Sequence, residues 1–233
     1  MRLLGLMLCL SFAVNAQTYT SSATVYSASK AYSNASVPYC EDANTAAWSS
    51  WSSGNYQAQT ELTVRGYINP SSSEYGCWNT QSTTQFILGF NTAFVGGGTI
   101  LSAALYWKPV AKVKTSATPL YGLYIRTASS DTTSSLTFPM SAPPTANIVS
   151  NRSIDSISTG SYLQESVPAG SINVSGTTFV HFYYRGIPNI GYSYYGCNCE
   201  ERITVGGPGS SSNKPYLVIT LAGGARLIIV AEQ

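Results

Sequence analysis

The chain contains one histidine, His181, and very little charge. Only 9% of its residues are Asp, Glu, Lys or Arg, against about a quarter in an average globular domain. Twelve basic and ten acidic residues leave a formal net charge of +2, and no block of Lys or Arg occurs. Electrostatic attraction to nucleic acid or to an anionic membrane therefore has little to work with. A lone histidine also restricts catalysis. An imidazole-activated nucleophile needs the ring held by a carboxylate and touching Ser or Cys. His181 sits in TTFVHFYYRG, where alternation puts it on one strand face with Phe179 and Tyr183. It reads as a packed strand histidine. No G-x-S-x-G, H-E-x-x-H or Walker sequence is present. No enzymatic activity and no catalytic residue are expected.

Helical periodicity and long apolar runs are also missing. No window sustains a 3.6-residue period, and no segment after the first residues approaches the ~18 uninterrupted apolar residues of a membrane span. The opening MRLLGLMLCLSFAVNA has a basic Arg2, a short apolar stretch and the small-x-small end Val14-Asn15-Ala16. It reads as a secretory signal over residues 1–16, with Cys9 in the discarded peptide. A secreted, extracellular or cell-surface protein without membrane insertion is expected.

What remains is a succession of short β-rich runs punctuated by Gly, Pro, Ser and Asn. Strands are expected over Thr18–Tyr26, Gln57–Tyr67, Thr83–Phe90, Ile100–Lys108, Leu120–Thr127, Ser161–Glu165, Thr177–Tyr184, Glu201–Val205 and Tyr216–Leu221. Loops are expected at 129–135, at 141–150 around Pro143 and Pro144, and over Gly186–Arg202. The pattern predicts an all-β fold of two packed antiparallel sheets, a β-sandwich, with one domain over 17–221. The tail 222–233 carries RLIIVAEQ. It reads either as one more strand of the sandwich or as an extension that adds to a neighbour's sheet edge.

Four cysteines follow the signal: Cys40, Cys77, Cys197 and Cys199. An even count in an exported chain predicts two disulfides stapling the fold. A Cys197–Cys199 bond would close a strained ring, so Cys40 and Cys77 are each expected to reach one of the later pair. A four-cysteine zinc site lacks its second knuckle. Acids flank these cysteines: Glu41 and Asp42 after Cys40, Glu200 and Glu201 after Cys199. Joined by a disulfide, the four carboxylates form either a solvated rim offset by Arg185 and Arg202 or a structural calcium site. No other cofactor is expected. Asn34, Asn151 and Asn173 open N-glycosylation sequons. Tyr192, Tyr194 and Tyr195, with Trp78, form a candidate aromatic ligand-binding surface, since flat rings offer apolar faces to sugars without needing charge.

The segment FILGFNTAFVGGGTILSAALYWKP, and RITVGGPGSSSNKPYLVITL near the end, resemble the jelly-roll modules called DNRLRE domains, which are similar to some carbohydrate-binding modules. The resemblance is specific at Gln85–Trp107 and Asn213–Leu221. Here the name-giving charged motif is missing, Phe90-Asn91 stands where Phe-Asp is usual, and the cysteines, the Tyr-rich segment and RLIIVAEQ are additions. The resemblance implies a jelly-roll type of sandwich and an extracellular, polysaccharide-associated, non-enzymatic role. The expected function is thus binding or adhesion to extracellular polysaccharide or a cell-surface matrix. The alternative is a structural subunit that assembles by C-terminal strand addition.

Overall fold

A computed structural model describes residues 17–22, 25–33, 60–70, 79–116, 121–128, 146–186, 199–222 and 226–232. Thirteen strands and no α-helix occur among them. No helix of the described residues is long and apolar enough to cross a membrane. The strands are β1 (Gln17–Ser22), β2 (Val25–Ser33), β3 (Glu61–Pro70), β4 (Asn79–Asn91), β5 (Ile100–Trp107), β6 (Pro109–Lys114) and β7 (Tyr121–Ala128). They continue with β8 (Ala146–Ser153), β9 (Leu163–Val167), β10 (Thr177–Gly186), β11 (Cys199–Gly206), β12 (Tyr216–Leu221) and β13 (Arg226–Glu232).

Two sheets form a sandwich-like arrangement. One has five strands in the order β1-β13-β12-β5-β9. The other has eight, in the order β6-β11-β3-β4-β10-β7-β8, with β2 added to β4. Residues 86–88 of β4 pair with both β2 and β10, and residues 80–84 pair with both β2 and β3. A strand has two edges, so β3 and β10 share the edge opposite β2 and follow one another along it.

Period-two alternation explains how each strand faces the core. In ILSAALYW, Ala103, Leu105 and Trp107 turn inward and are buried, while Ala104 and Tyr106 turn out and are half-buried. In YLVITL, Leu217 and Ile219 join the core. The larger sheet contributes Leu62, Val64, Phe86, Leu88, Phe90, Leu123, Ile125, Val180, Phe182, Ile203 and Val205. Phe182 anchors the interior, stacked on Phe86 at 4.7 Å and edge-on to Trp107 at 5.5 Å. Such aromatic pairs add about 0.5–1.5 kcal/mol beyond their buried area.

Several sequence expectations shift. Thr18–Tyr26 is two strands, not one: β1 belongs to the five-stranded sheet and β2 to the eight-stranded sheet. An extended run can pass from one sheet to the other at a sandwich corner. The run expected as Ile100–Lys108 ends at Trp107, and Pro109 opens β6, an edge strand paired among the described residues with β11, where its missing N–H costs no ladder bond. The loop expected at 141–150 gives way to β8 from Ala146. That strand is irregular because Asn151 takes φ 52°, and its side chain lies over Gly122, where any Cβ would come within 2.1 Å of Oδ1. The loop expected to Arg202 ends earlier, since β11 begins at Cys199. The C-terminal run is a strand of the chain's own sheet. β13 pairs antiparallel with β12 and parallel with β1, so both of its edges are occupied.

Candidate functional site

The solvent face of the five-stranded sheet carries a row of tyrosines. Tyr106 of β5 stands opposite Tyr216 of β12, and their rings stack at 4.7 Å with planes 7° apart. Tyr162, just before β9, lies 5.3 Å from Tyr216 and is tilted by 59°. Tyr162 is 37% exposed. The Lys108 ammonium lies over its ring, 5.8 Å from the centroid. Gln164 opposes Tyr106 and is exposed. The result is an angled strip of aromatic surface with an amide and a cation at its border.

Local structure holds the strip rigidly. The Tyr162 hydroxyl donates to the carbonyls of Ser212 and Lys214, at 3.3 and 3.0 Å. Burial, with Tyr216 nearby, raises its pKa above the ordinary phenol value. The 210–214 turn is fixed in its own right: the Ser210 hydroxyl accepts from the N–H of Asn213 at 3.0 Å. It packs directly on Gly206, where a Cβ would meet the Asn213 carbonyl at 2.1 Å. The N–H of Gly206 in turn donates to the Lys108 carbonyl at 3.0 Å, and that of Gly160 to the Pro109 carbonyl at 2.8 Å.

The aromatic set expected from sequence, Trp78, Tyr192, Tyr194 and Tyr195, lies outside the described residues, as do Cys40, Cys77 and Cys197. Several of the strand ends that bound these segments are nevertheless close. Pro70 pairs with Asn79, Asn69 and Ser33 both face Thr80, and Cys199 faces Ile68. Segments 71–78 and 187–198 and the start of segment 34–59 therefore attach at one end of the larger sheet, whereas 34–59 rejoins it at Thr60, beside Gly207 at the other end. Cys199 itself is fully buried. The tyrosine strip lies at the opposite end, because Pro109 pairs with Val205 near the far terminus of β11.

Glu200 and Glu201, the two described carboxylates of the expected calcium set, do not face one another. Glu200 and Glu201 are neighbours on a strand, so their side chains point to opposite faces. Glu200 pairs with Arg65 at 2.9 Å and with Arg202 at 3.6 Å. Glu201 turns inward, is 0% exposed, and accepts from the Ser116 hydroxyl at 3.2 Å. Glu41, Asp42 and Arg185's side chain lie outside the described part. Among the described residues, no group of three or more His, Cys, Asp and Glu side chains is gathered for a metal.

His181 is 0% exposed on the outer face of the larger sheet, stacked on Tyr183 at 4.9 Å. Arg126 Nε donates to its Nδ1 at 3.4 Å. Burial first, and the guanidinium second, push its pKa well below the usual imidazole range, so the ring is neutral at pH 7. Phe179 is half-buried. Of the sequons, Asn34 is outside the described residues. Asn151 and Asn173 are exposed, but the Asn173 amide is engaged in its own turn, accepting from the Ser175 N–H at 3.2 Å and donating to the Thr177 carbonyl at 3.3 Å.

Sequence reasoning missed Tyr106 and Tyr216, although a signal was present. Each is out of phase with its strand's core residues, Leu105 and Trp107 in one case and Leu217 and Ile219 in the other. Tyr162 had no such signal, because tertiary contacts bring it to the row.

Fold and strip together define a class: an all-β, two-sheet protein with an aromatic surface on a solvent-facing sheet. No family model matches the chain, and no curated protein matches it.

Proposed function

We propose that this is a secreted, non-catalytic module that binds extracellular polysaccharide through the tyrosine strip. The observation that carries the reading is the partly exposed row Tyr106–Tyr216–Tyr162 with Gln164 and Lys108 at its border. Tyrosine rings supply apolar area for sugar C–H faces, and border amides and ammonium groups supply hydrogen bonds. The burial of His181 between Arg126 and Tyr183 supports binding rather than catalysis.

The finer description of the fold belongs to the same proposal. The connections β4–β5, β5–β6, β9–β10 and β11–β12 each pass between the two sheets, which supports a jelly-roll type of winding and the resemblance to DNRLRE modules. Cys199 is buried, and the segments that carry Cys40, Cys77 and Cys197 each have an end at its end of the sheet, which supports a disulfide staple. A signal over residues 1–16 and a disulfide staple, both expected from the sequence, suit an exported protein.

A glycan array tests the reading with three proteins: the full chain, a Tyr106→Ala/Tyr216→Ala variant and a Tyr194→Ala/Tyr195→Ala variant. Binding by the full chain, lost at least tenfold in the first variant while its circular dichroism is unchanged, is the expected result. Loss only in the second variant moves the site to the cysteine-bearing end. No binding to any glycan by the unaltered protein removes the proposed function.

A further inference from the structure

The charge around the tyrosine strip is unbalanced. Lys108 stands over Tyr162 and makes no ion pair among the described residues. Lys112 and Lys114 of β6 are occupied, the first donating to the Ile157 carbonyl at 2.7 Å and the second pairing with Asp155 at 2.6 Å, while Lys214, just before β12, also makes no ion pair among the described residues. The ladder positions sharing the face of Tyr106 and Tyr216 on β5, β9 and β12 are uncharged: Gln164, Ser166, Ala104, Ser102, Val218 and Thr220. The acid of β9, Glu165, turns the other way, where Arg152 holds it. Glu232 of β13 pairs with Ser22 of β1, two strands from β5. The face thus offers an ammonium group beside aromatic rings, with no carboxylate on its own or either adjacent strand to answer it.

We propose that the strip is selective for acidic polysaccharide, with Lys108 meeting the carboxylate of a uronic acid residue stacked on the tyrosines. This rests on the polysaccharide-binding reading and names its ligand class. A uronate carries its carboxylate at the ring edge, so a sugar lying against Tyr216 directs the anion toward its neighbour. Tyr216 and Tyr162 are 5.3 Å apart and Lys108 lies over Tyr162, so the ammonium borders the ring next to the one on which the sugar would stack. The backbone of Lys108 is held where its carbonyl accepts from the Gly206 N–H. An exposed pair of this kind favours the charged chain by about fivefold at low salt. The preference shrinks at high salt, as the screening length drops to ~3 Å near 1 M.

Isothermal titration of the full chain with oligogalacturonate, oligoglucuronate and oligomannuronate, each beside its carboxyl-reduced counterpart, tests this, with sulfated and plain dextran as a further pair. The expected result is that at least one uronate chain binds about fivefold tighter than its reduced form at 20 mM salt. Lys108→Gln removes that difference and keeps the weaker binding to the reduced form, whereas Tyr106→Ala/Tyr216→Ala loses both. Equal binding of charged and reduced chains overturns the inference and leaves the polysaccharide reading intact. Binding to sulfated dextran without any uronate also overturns it. No binding to any chain overturns both.

Discussion

At the scale of the residue, burial and alternation decide which side chains can act. His181 and Lys108 show the contrast. The imidazole is sealed between Arg126 and Tyr183, whereas the ammonium stands at an open aromatic border. Sealing has a measurable consequence. The folded pKa of His181 is depressed below the unfolded value near 6.5. The unfolded chain therefore takes up a proton that the native chain refuses, and stability falls as pH drops below about 6.5, by up to about 1.4 kcal/mol per pH unit until the folded pKa is reached. Between pH 7.5 and 5.5 the melting temperature should fall by a few degrees, and by less in His181→Gln; parallel pH curves for the two proteins would contradict this. Gly206 gives a second prediction. A methyl group there meets the Asn213 carbonyl at 2.1 Å. Gly206→Ala should displace the turn that holds the Tyr162 hydroxyl, lower the melting temperature and weaken glycan binding together, and unchanged binding would show that the turn does not position the ring.

Elements are tied across the sandwich by one polar bridge as well as by the core. Arg152 of β8 forms a bidentate ion pair with Glu165 of β9, reaching Oε2 at 2.9 Å, and Trp107 Nε1 donates to Oε1 at 3.4 Å. Because Glu165 is buried, Arg152→Met leaves a carboxylate without its counter-charge, at a cost of about 2–4 kcal/mol in denaturant unfolding. The double variant Arg152→Met/Glu165→Leu should recover most of that loss; a double variant as unstable as the single one would assign the cost to packing. The last strand is a stronger case. β13 supplies the buried Ile229 and the ladders of both β12 and β1. A chain ending at Leu221 should fail to fold or should aggregate, and a soluble truncated monomer with an unchanged melting temperature would contradict the sheet order.

These elements show what the sequence could and could not reveal. Alternation in ILSAALYW and YLVITL is readable in one dimension, and with it the outward phase of Tyr106 and Tyr216. The same rule separates Glu200 from Glu201 once β11 is extended to Cys199. Pairing is different. That β13 sits between β12 and β1, with β1 running parallel to it, joins the two ends of the chain and leaves no local pattern. Tyr162 is likewise recruited by the 210–214 turn, about fifty residues away.

On the scale of the whole molecule, the two ends of the sandwich differ in character. At one end the segments that carry Cys77 and Cys197 attach and the one that carries Cys40 departs. The other carries a strip of tyrosines bordered by Lys108 on a face poor in charge. The central claim is that the strip is where the protein meets its ligand. Nuclear magnetic resonance of the full chain, with tyrosine rings labelled and an oligouronate titrated in, tests it most directly. Ring signals of Tyr106, Tyr162 and Tyr216 should shift together, and the sugar C–H protons should move upfield under their ring currents. Shifts confined to Tyr192, Tyr194 and Tyr195, with those three rings unmoved, would contradict it.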